Sequence, residues 1–325
     1  MPRINHPIPR NTDIVLFKAD IISELGRIDQ DSDSRARVIQ IEQGFRTHMG
    51  TLFTALPSSS SEFTKFQTSP FVLMAFCKRK GYSRISQIEK DLVPGKIFSS
   101  IETSTGKMIE KIVLPIFGWE TAPSASHTHN SALDGKRIEP DVVKLATLKS
   151  GPRCLNDDMS LKFADKILEH HASWAREAGK PRIDFTYGVL YGTPSISNKK
   201  DWHILRHISE KLPPAELTIS PSRRWDCAFV KQGIEVAVTV RIGKDWWAYL
   251  GQRQSTYLEV CIALIRACVP PAAPTDPQGY GYEISDLASI VSTDSVPPDF
   301  AVALLQREQI PWLFFLARHF CDELR

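Results

Sequence analysis

The sequence predicts an α/β (α+β) protein in which helices flank a mixed central β-sheet, with a helical region preceding it. Three observations carry that expectation. Residues 13–56, read as "DIVLFKADIISELGRI" and "ARVIQIEQGFRTHMGTLFTAL", repeat apolar side chains at three- and four-residue intervals, the spacing of amphipathic helices. Short apolar runs rich in β-branched residues stand at 142–149, 183–191 and 235–241 and read as strands. Helical patterns at 159–178 and 201–211 separate them, and strands interrupted by helices fit a sheet covered by helices.

A length of 325 residues suffices for one large domain or two ordinary ones. Hydrophobic residues at 42% and charged residues at 24% exclude a disordered or fibrous chain. After the first helices the polar stretch "PSSSSEFTKFQTSP" breaks the pattern and reads as a linker, followed by further helical pieces, "PFVLMAFCKRKGYS" and "SRISQIEKDLVPGK". Residues 1–98 therefore form the expected N-terminal helical region, and 99–325 the remainder. Segment 100–117 reads as an amphipathic helix with Ser/Thr capping candidates at its start. Toward the C-terminus "TYLEVCIALIRACV", "ISDLASIV" and "DFAVALLQREQIPWLFFLARHF" return to helix.

A net charge of +3 is too mild to indicate a nucleic-acid partner, so local clusters must decide. They are Lys78-Arg79-Lys80 with Arg84, Lys199-Lys200 beside Trp202 and His203, and Arg223-Arg224 beside Trp225. A charge run alone is most often a solvated face, but basic residues interleaved with tryptophan suit a nucleic-acid surface. Six scattered cysteines lack any Cys-x-x-Cys pair, which makes a reducing cytoplasmic setting the expectation. The N-terminus lacks an apolar signal core, and no run approaches the length of a membrane span.

Chemistry concentrates between residues 100 and 150. Glu110 lies on the helix at 100–117. Asp134 stands in an Asp-Gly turn signal, and Glu139-Pro140-Asp141 supplies a second turn before the strand that ends in Lys149. Read as a hairpin, this stretch returns Asp134 alongside Lys149. An extended strand from Asp141 to Lys149 would separate those two by roughly 26 Å, so Asp134 is the preferred partner and Asp141 the alternative. Two neighbouring carboxylates repel unless a divalent cation lies between them, and an all-oxygen site with few protein ligands suits Mg2+. The lysine would stabilise charge developing on a phosphate or orient the attacking water.

At this point the sequence resembles the PD-(D/E)xK nuclease superfamily, and in particular Type II restriction endonucleases. The resemblance spans about residues 100–210 and rests on "TSTGKMIEKIVLP" with Glu110, on "LDGKRIEPD", on "LATLKSGP" with Lys149 followed by "CLNDDM", and on "YGTPSISNKKDWH". It implies a restriction-endonuclease-like core and a Mg2+-dependent, sequence-specific cut through both strands of DNA. Glu110 and Asp134 would hold the metal and Lys149 would act on the phosphate. In the family an acidic residue normally stands two places before the lysine; here Thr147 occupies that place and would line the site. Glu110 is the first choice to replace the missing ligand, with Asp157, Asp158 and Glu169 behind it.

DNA contacts are expected from Asn198, Lys199, Lys200, Trp202, His203, Arg223 and Arg224. The resemblance further implies a homodimer, because a palindromic site is matched by a two-fold protein, with the N-terminal helices available for dimerisation or for wrapping the duplex. Bland readings apply to several conspicuous residues: His127 and His129 as surface loop, Cys154 as a packed thiol, and Trp246, Trp247 and Tyr249 as core. Two other functions remain open, a structure-specific repair or recombination nuclease and a non-catalytic DNA-binding protein.

Overall fold

The computed structural model describes residues 14–55, 70–84, 87, 89–122, 129–220, 226–270 and 287–325. Strand β1 (Val15–Leu16) leads into α1 (Lys18–Gln30) and α2 (Ser32–Ala55). Between the two helices the Asp31 carboxylate accepts the Ser34 N–H at 2.9 Å, a side-chain cap for the start of α2. Next come α3 (Pro70–Lys80) and α4 (Glu89–Met108). Past Met108 the helix widens into a π turn over Ile109–Val113 and closes as the short α5 (Leu114–Ile116).

The helix expected to begin near residue 100 thus starts earlier, at Glu89, and its Ser/Thr candidates lie inside it rather than at its cap. Helical spacing of Ile97, Ile101 and Met108 runs through that stretch without interruption. The boundary expected between residues 98 and 99 therefore falls within α4.

Strands β2 (Glu120–Thr121), β3 (Gly135–Ile138) and β4 (Val143–Lys149) form an antiparallel meander, with Gly135 opposite Ala146 and Ile138 opposite Val143. Helix α6 (Asp157–Ala178) then crosses to β5 (Arg182–Val189), which runs parallel to β4 and sets Thr147 beside Tyr187 and Lys149 beside Val189. Asn156 caps α6 by accepting the Met159 N–H at 2.8 Å, and Gly179, in the left-handed region, ends it.

Helix α7 (Lys200–Lys211) leads to β6 (Leu217–Ile219), β7 (Asp226–Lys231) and β8 (Ile234–Ile242). The last lies parallel to β5 and antiparallel to β7, giving a mixed seven-stranded sheet of order β2-β3-β4-β5-β8-β7-β6. The three strands expected from apolar runs are its adjacent central members. Strands β6 and β7 were not expected; β6 forms one edge and β7 lies beside it, and neither is continuously apolar.

The chain continues through α8 (Lys244–Gly251), α9 (Thr256–Cys268), α10 (Leu287–Val291), α11 (Ile310–Ala317) and β9 (Glu323–Leu324). The single helix expected over 299–320 is reduced to α11 with 3-10 turns at Arg307–Gln309 and Arg318–Phe320. Ahead of it, the N–H groups of Ala303 and Leu304 donate to the Asp29 carboxylate at 3.0 and 2.9 Å, tying this backbone to α1 instead of to a helix of its own.

Strand alternation distributes the core over both faces of the sheet. Val143 and Leu145 pack with Ile167 and Trp174 of α6 and Ile204 and Ile208 of α7. Ala146 and Leu148 point the other way, into a cluster with Leu25, Ile41, Phe45, Val113, Trp246, Ile262 and Phe314. Trp246 and Trp247 are buried, as expected of core residues, and Tyr249 is half-buried. The N-terminal helices share this second cluster. They are also fastened to α9 through the fully buried Glu259, which accepts from Ser34 Oγ at 2.9 Å, Arg37 Nε at 2.9 Å and Arg253 at 3.2 Å. No helix among the described residues is long and apolar enough to cross a membrane, and all six cysteines are free thiols.

β1 and β9 pair in parallel, and Asp322 locks the pair to the sheet. Its carboxylate accepts from the Ile14 N–H at 2.8 Å, from Thr193 Oγ1 at 2.6 Å and from Ser195 Oγ. Burial alone would raise its pKa, but these hydrogen bonds outweigh it and hold the carboxyl below its usual range. The resulting stability is present above the unfolded pKa and is lost as the pH falls through the folded one. Asp322→Ala is expected to lower unfolding free energy by about 2–4 kcal/mol, since three donors lose a charged acceptor together. Urea titration at pH 7 measures it; a loss under about 0.5 kcal/mol would show that the clamp contributes nothing.

Candidate active site

Three of the expected residues meet at one edge of the sheet. Asp134 directly precedes β3, and its backbone is pinned on both sides, donating to the Ala146 carbonyl at 2.9 Å and accepting the Ala122 N–H at 3.1 Å. Its Oδ2 accepts the Leu148 N–H at 2.6 Å. Antiparallel pairing places Asp134 on the same face as Thr147, and alternation along β4 adds Lys149 to that face.

Glu110 arrives from the π turn, and Thr121 Oγ1 of β2 donates to its backbone carbonyl at 3.0 Å. Two glycines permit the approach. A Cβ at Gly44 of α2 would lie 2.4 Å from Ile112 Cγ2, and one at Gly135 of β3 would lie 2.9 Å from Leu114 Cδ1. Either side of the π turn therefore rests on a residue whose missing side chain is its contact surface. A π turn inserts one residue into a helix and is often found at functional sites.

The charges of the three residues act on one another. Burial raises the pKa of Glu110, the Asp134 carboxylate raises it further, and Lys149, Lys107 and Lys111 oppose both. Burial likewise raises Asp134, opposed by the Leu148 N–H, Lys149 and the Thr147 hydroxyl. Lys149 is half-buried, with Nζ 5.6 Å from the centroid of the Phe163 ring on α6.

Two half-buried carboxylates, both pushed up by burial and one of them also by the charge of the other, fit the oxygen-donor chemistry of a divalent cation. Among the described residues no group of three or more His, Cys, Asp or Glu side chains is placed to hold a metal ion, so this pair would leave most of a Mg2+ shell to water and phosphate oxygens.

Thr147 is only 2% exposed, and its hydroxyl donates to the Ala132 carbonyl. It lines the floor beneath the pair. Asp141 is excluded: it sits exposed in the turn at the opposite end of β4, more than about 20 Å of strand from Lys149. Of the substitutes for the missing acid, Asp157 is engaged with Lys200 at 2.7 Å and His203 at 2.9 Å, Asp158 is exposed in the first turn of α6, and Glu169 is exposed beside His170. Cys154 is exposed rather than packed, its sulfur accepting the Gly151 N–H at 3.4 Å.

The expected DNA-contacting residues are mostly occupied within the protein. Asn198 donates to the Leu155 carbonyl at 2.8 Å and accepts the Lys200 N–H at 3.0 Å, so both ends of its amide hold the loop against the start of α6. Lys199 reaches the Pro194 carbonyl and lies 5.6 Å from the Trp202 ring. Trp202 is 8% exposed and belongs to the core under α7, a correction that follows from its place on the sheet-facing side of that helix. Lys200 and His203 converge on Asp157. Arg223, Arg224 and His127 lie outside the described residues. His129 is half-buried and pairs with Glu177.

Sequence reasoning missed Asp201. In "KKDWH" it reads as a solvated helix-start acid, yet it is fully buried beneath the loop leading to α7. Its Oδ2 accepts from Ser197 Oγ at 2.8 Å; Oδ1 and the equally buried Tyr187 hydroxyl close no hydrogen bond, yet the hydroxyl lies near enough to favour the ionised form of Asp201. Tyr187 is in turn close enough to Asp134 for that charge to disfavour its ionisation, after burial and Asp201.

Burial pushes the Asp201 carboxyl up to about 6 from an ordinary 3.8. The folded state then keeps a proton that the unfolded chain releases near pH 4, so stability falls as pH rises through about 4–6 and stays lowered above. The difference amounts to roughly 2–4 kcal/mol. Asp201→Asn, which removes the charge and keeps the shape, is expected to match the wild type near pH 4 and to exceed its unfolding free energy by that amount at pH 8. Parallel pH profiles for the two proteins would contradict the assignment. No protein-family model matches the chain, and no curated protein matches it.

Proposed function

We propose that this protein is a Mg2+-dependent, sequence-specific double-strand DNA endonuclease of the restriction type, built on a PD-(D/E)xK-like core and acting as a homodimer at a short palindromic site. The observation that carries the reading is the convergence of Glu110, Asp134 and Lys149, drawn from a π turn, a hairpin and the end of a strand. The charge of Asp134 disfavouring ionisation of Glu110 supports it, because a divalent cation would relieve that repulsion.

Glu110 and Asp134 would hold Mg2+, which when bound supplies charge stabilisation and a more acidic water. The Leu148 N–H holds one Asp134 oxygen in place and leaves Oδ1 free of that bond. Lys149 stands on the same face and presents its ammonium where an attacked phosphate gains negative charge. Phe163 restricts the lysine's excursions from one side. Thr147, engaged below with Ala132, contributes shape and no charge.

Incubation with Mg2+ and a sequenced phage genome is expected to yield discrete fragments whose mapped ends share one sequence; a smear would point to a structure-specific nuclease. Lys149→Ala is expected to cut at least about 100-fold more slowly while binding DNA with similar affinity, because the lysine acts on charge that develops in the transition state. Full plasmid cleavage by that variant would remove Lys149 from the mechanism. Binding by the wild type without cleavage in either Mg2+ or Mn2+ would favour a non-catalytic DNA-binding protein.

A further inference from the structure

Glu110 shares its helical face with two lysines. Lys107 and Lys111 are four residues apart, with Glu110 between them at the third, so all three side chains project to the same side. Both lysines are exposed, and both are near enough to Glu110 for their charge to favour its ionised form. Some lysines answer to a carboxylate, Lys136 to Glu120, Lys144 to Glu139, Lys200 to Asp157 and Lys211 to Asp165, while others such as the exposed Lys162 do not. Among the described residues Lys107 and Lys111 form no ion pair within 4.0 Å, the limit that those four contacts meet.

Local charge then calls for a polyanion. Lys107, Lys111 and Lys149 against Glu110 and Asp134 leave about one positive charge, and a divalent cation would raise it to about three. A single phosphodiester carries one negative charge, so neutrality needs several in a row. Four residues of helix place the two lysines about 6 Å apart along the axis, close to two phosphate steps of one DNA strand at about 3.4 Å each. Single strands are gripped by aromatic stacking platforms, whereas "TSTGKMIEK" contains no aromatic residue.

We propose that Lys107 and Lys111 form a track for the phosphate backbone of double-stranded DNA, seating the strand beside the carboxylate pair without reading its sequence. The track rests on the endonuclease reading and extends it to residues that act by binding alone.

Fluorescence anisotropy with a 20-base-pair duplex, Ca2+ replacing Mg2+, tests it as a function of salt. The double variant K107A/K111A is expected to flatten the slope of log affinity against log salt by about 1.8, two contacts at about 0.9 each. Between 50 and 200 mM salt the variant would then lose about 12-fold less affinity than the wild type. Charge reversal in K107E/K111E is expected to abolish binding at 200 mM salt, with circular dichroism confirming the fold. Wild-type protein that binds no duplex at 50 mM salt would overturn both the track and the endonuclease reading. Wild-type binding with an unchanged slope in K107A/K111A would overturn the track alone, as would tighter binding of the corresponding single strand.

Discussion

The hydrogen bond from the Leu148 N–H to Asp134 Oδ2 is the constraint on which the candidate site depends. Together with the Asp134 backbone bonds to Ala146 and Ala122, it fixes where the hairpin crosses the end of β4. Once that crossing is set, the two-residue period of a strand decides the rest: Thr147 and Lys149 face Asp134, and Leu148 faces the opposite core. A one-residue slip would turn Lys149 into the apolar cluster and Leu148 onto the carboxylates. Parallel pairing with β5 resists the slip, because β4 is buried on both faces and each face has its own packing partners.

The third member of the site depends on packing from far along the chain. Glu110 stands on a π turn wedged between α2 and β3, with Gly44 and Gly135 as the two points of close approach. Helix α2 is itself held by Glu259 of α9, whose fully buried carboxylate is met by Ser34, Arg37 and Arg253. Removing either arginine would leave that buried carboxylate less fully compensated, a costly change away from water. Helices that read as an appended N-terminal region are thus part of the scaffold that positions Glu110.

Much of this was legible in the sequence, and what was not has identifiable causes. The central strands announced themselves as apolar runs because both their faces are buried. The edge strand β6 and its neighbour β7 did not, being only partly covered. Asp134 and Lys149 were readable as a hairpin pair, since turn chemistry and strand length exclude Asp141 by distance alone. Asp201 was illegible: nothing in "KKDWH" distinguishes an acid that begins a solvated helix from one roofed by the preceding loop. Asn198, Lys200 and Trp202 had the composition of a DNA-reading loop, yet the same polar groups can satisfy backbone and partner side chains at the start of a helix, and here they do. Composition gives the donors and acceptors; only tertiary placement gives their partners.

Thr147 fits its place in β4 better than a carboxylate would. Position 147 is 2% exposed, and an acid there would be buried beside Asp134 and Tyr187, against a carbonyl oxygen of Ala132. Threonine donates to that carbonyl, whereas a carboxylate would repel it and carry the full cost of desolvation. Glu110 approaches from the helix side, where it is half-buried and flanked by Lys107 and Lys111, so its charge is partly compensated by the lysines. On the endonuclease reading, the second oxygen donor would come from a helix turn held by side-chain packing instead of from a strand. Glu110 placement therefore depends on the fit of Ile112 against Gly44 and of Leu114 against Gly135, and the site is only as well ordered as those two contacts.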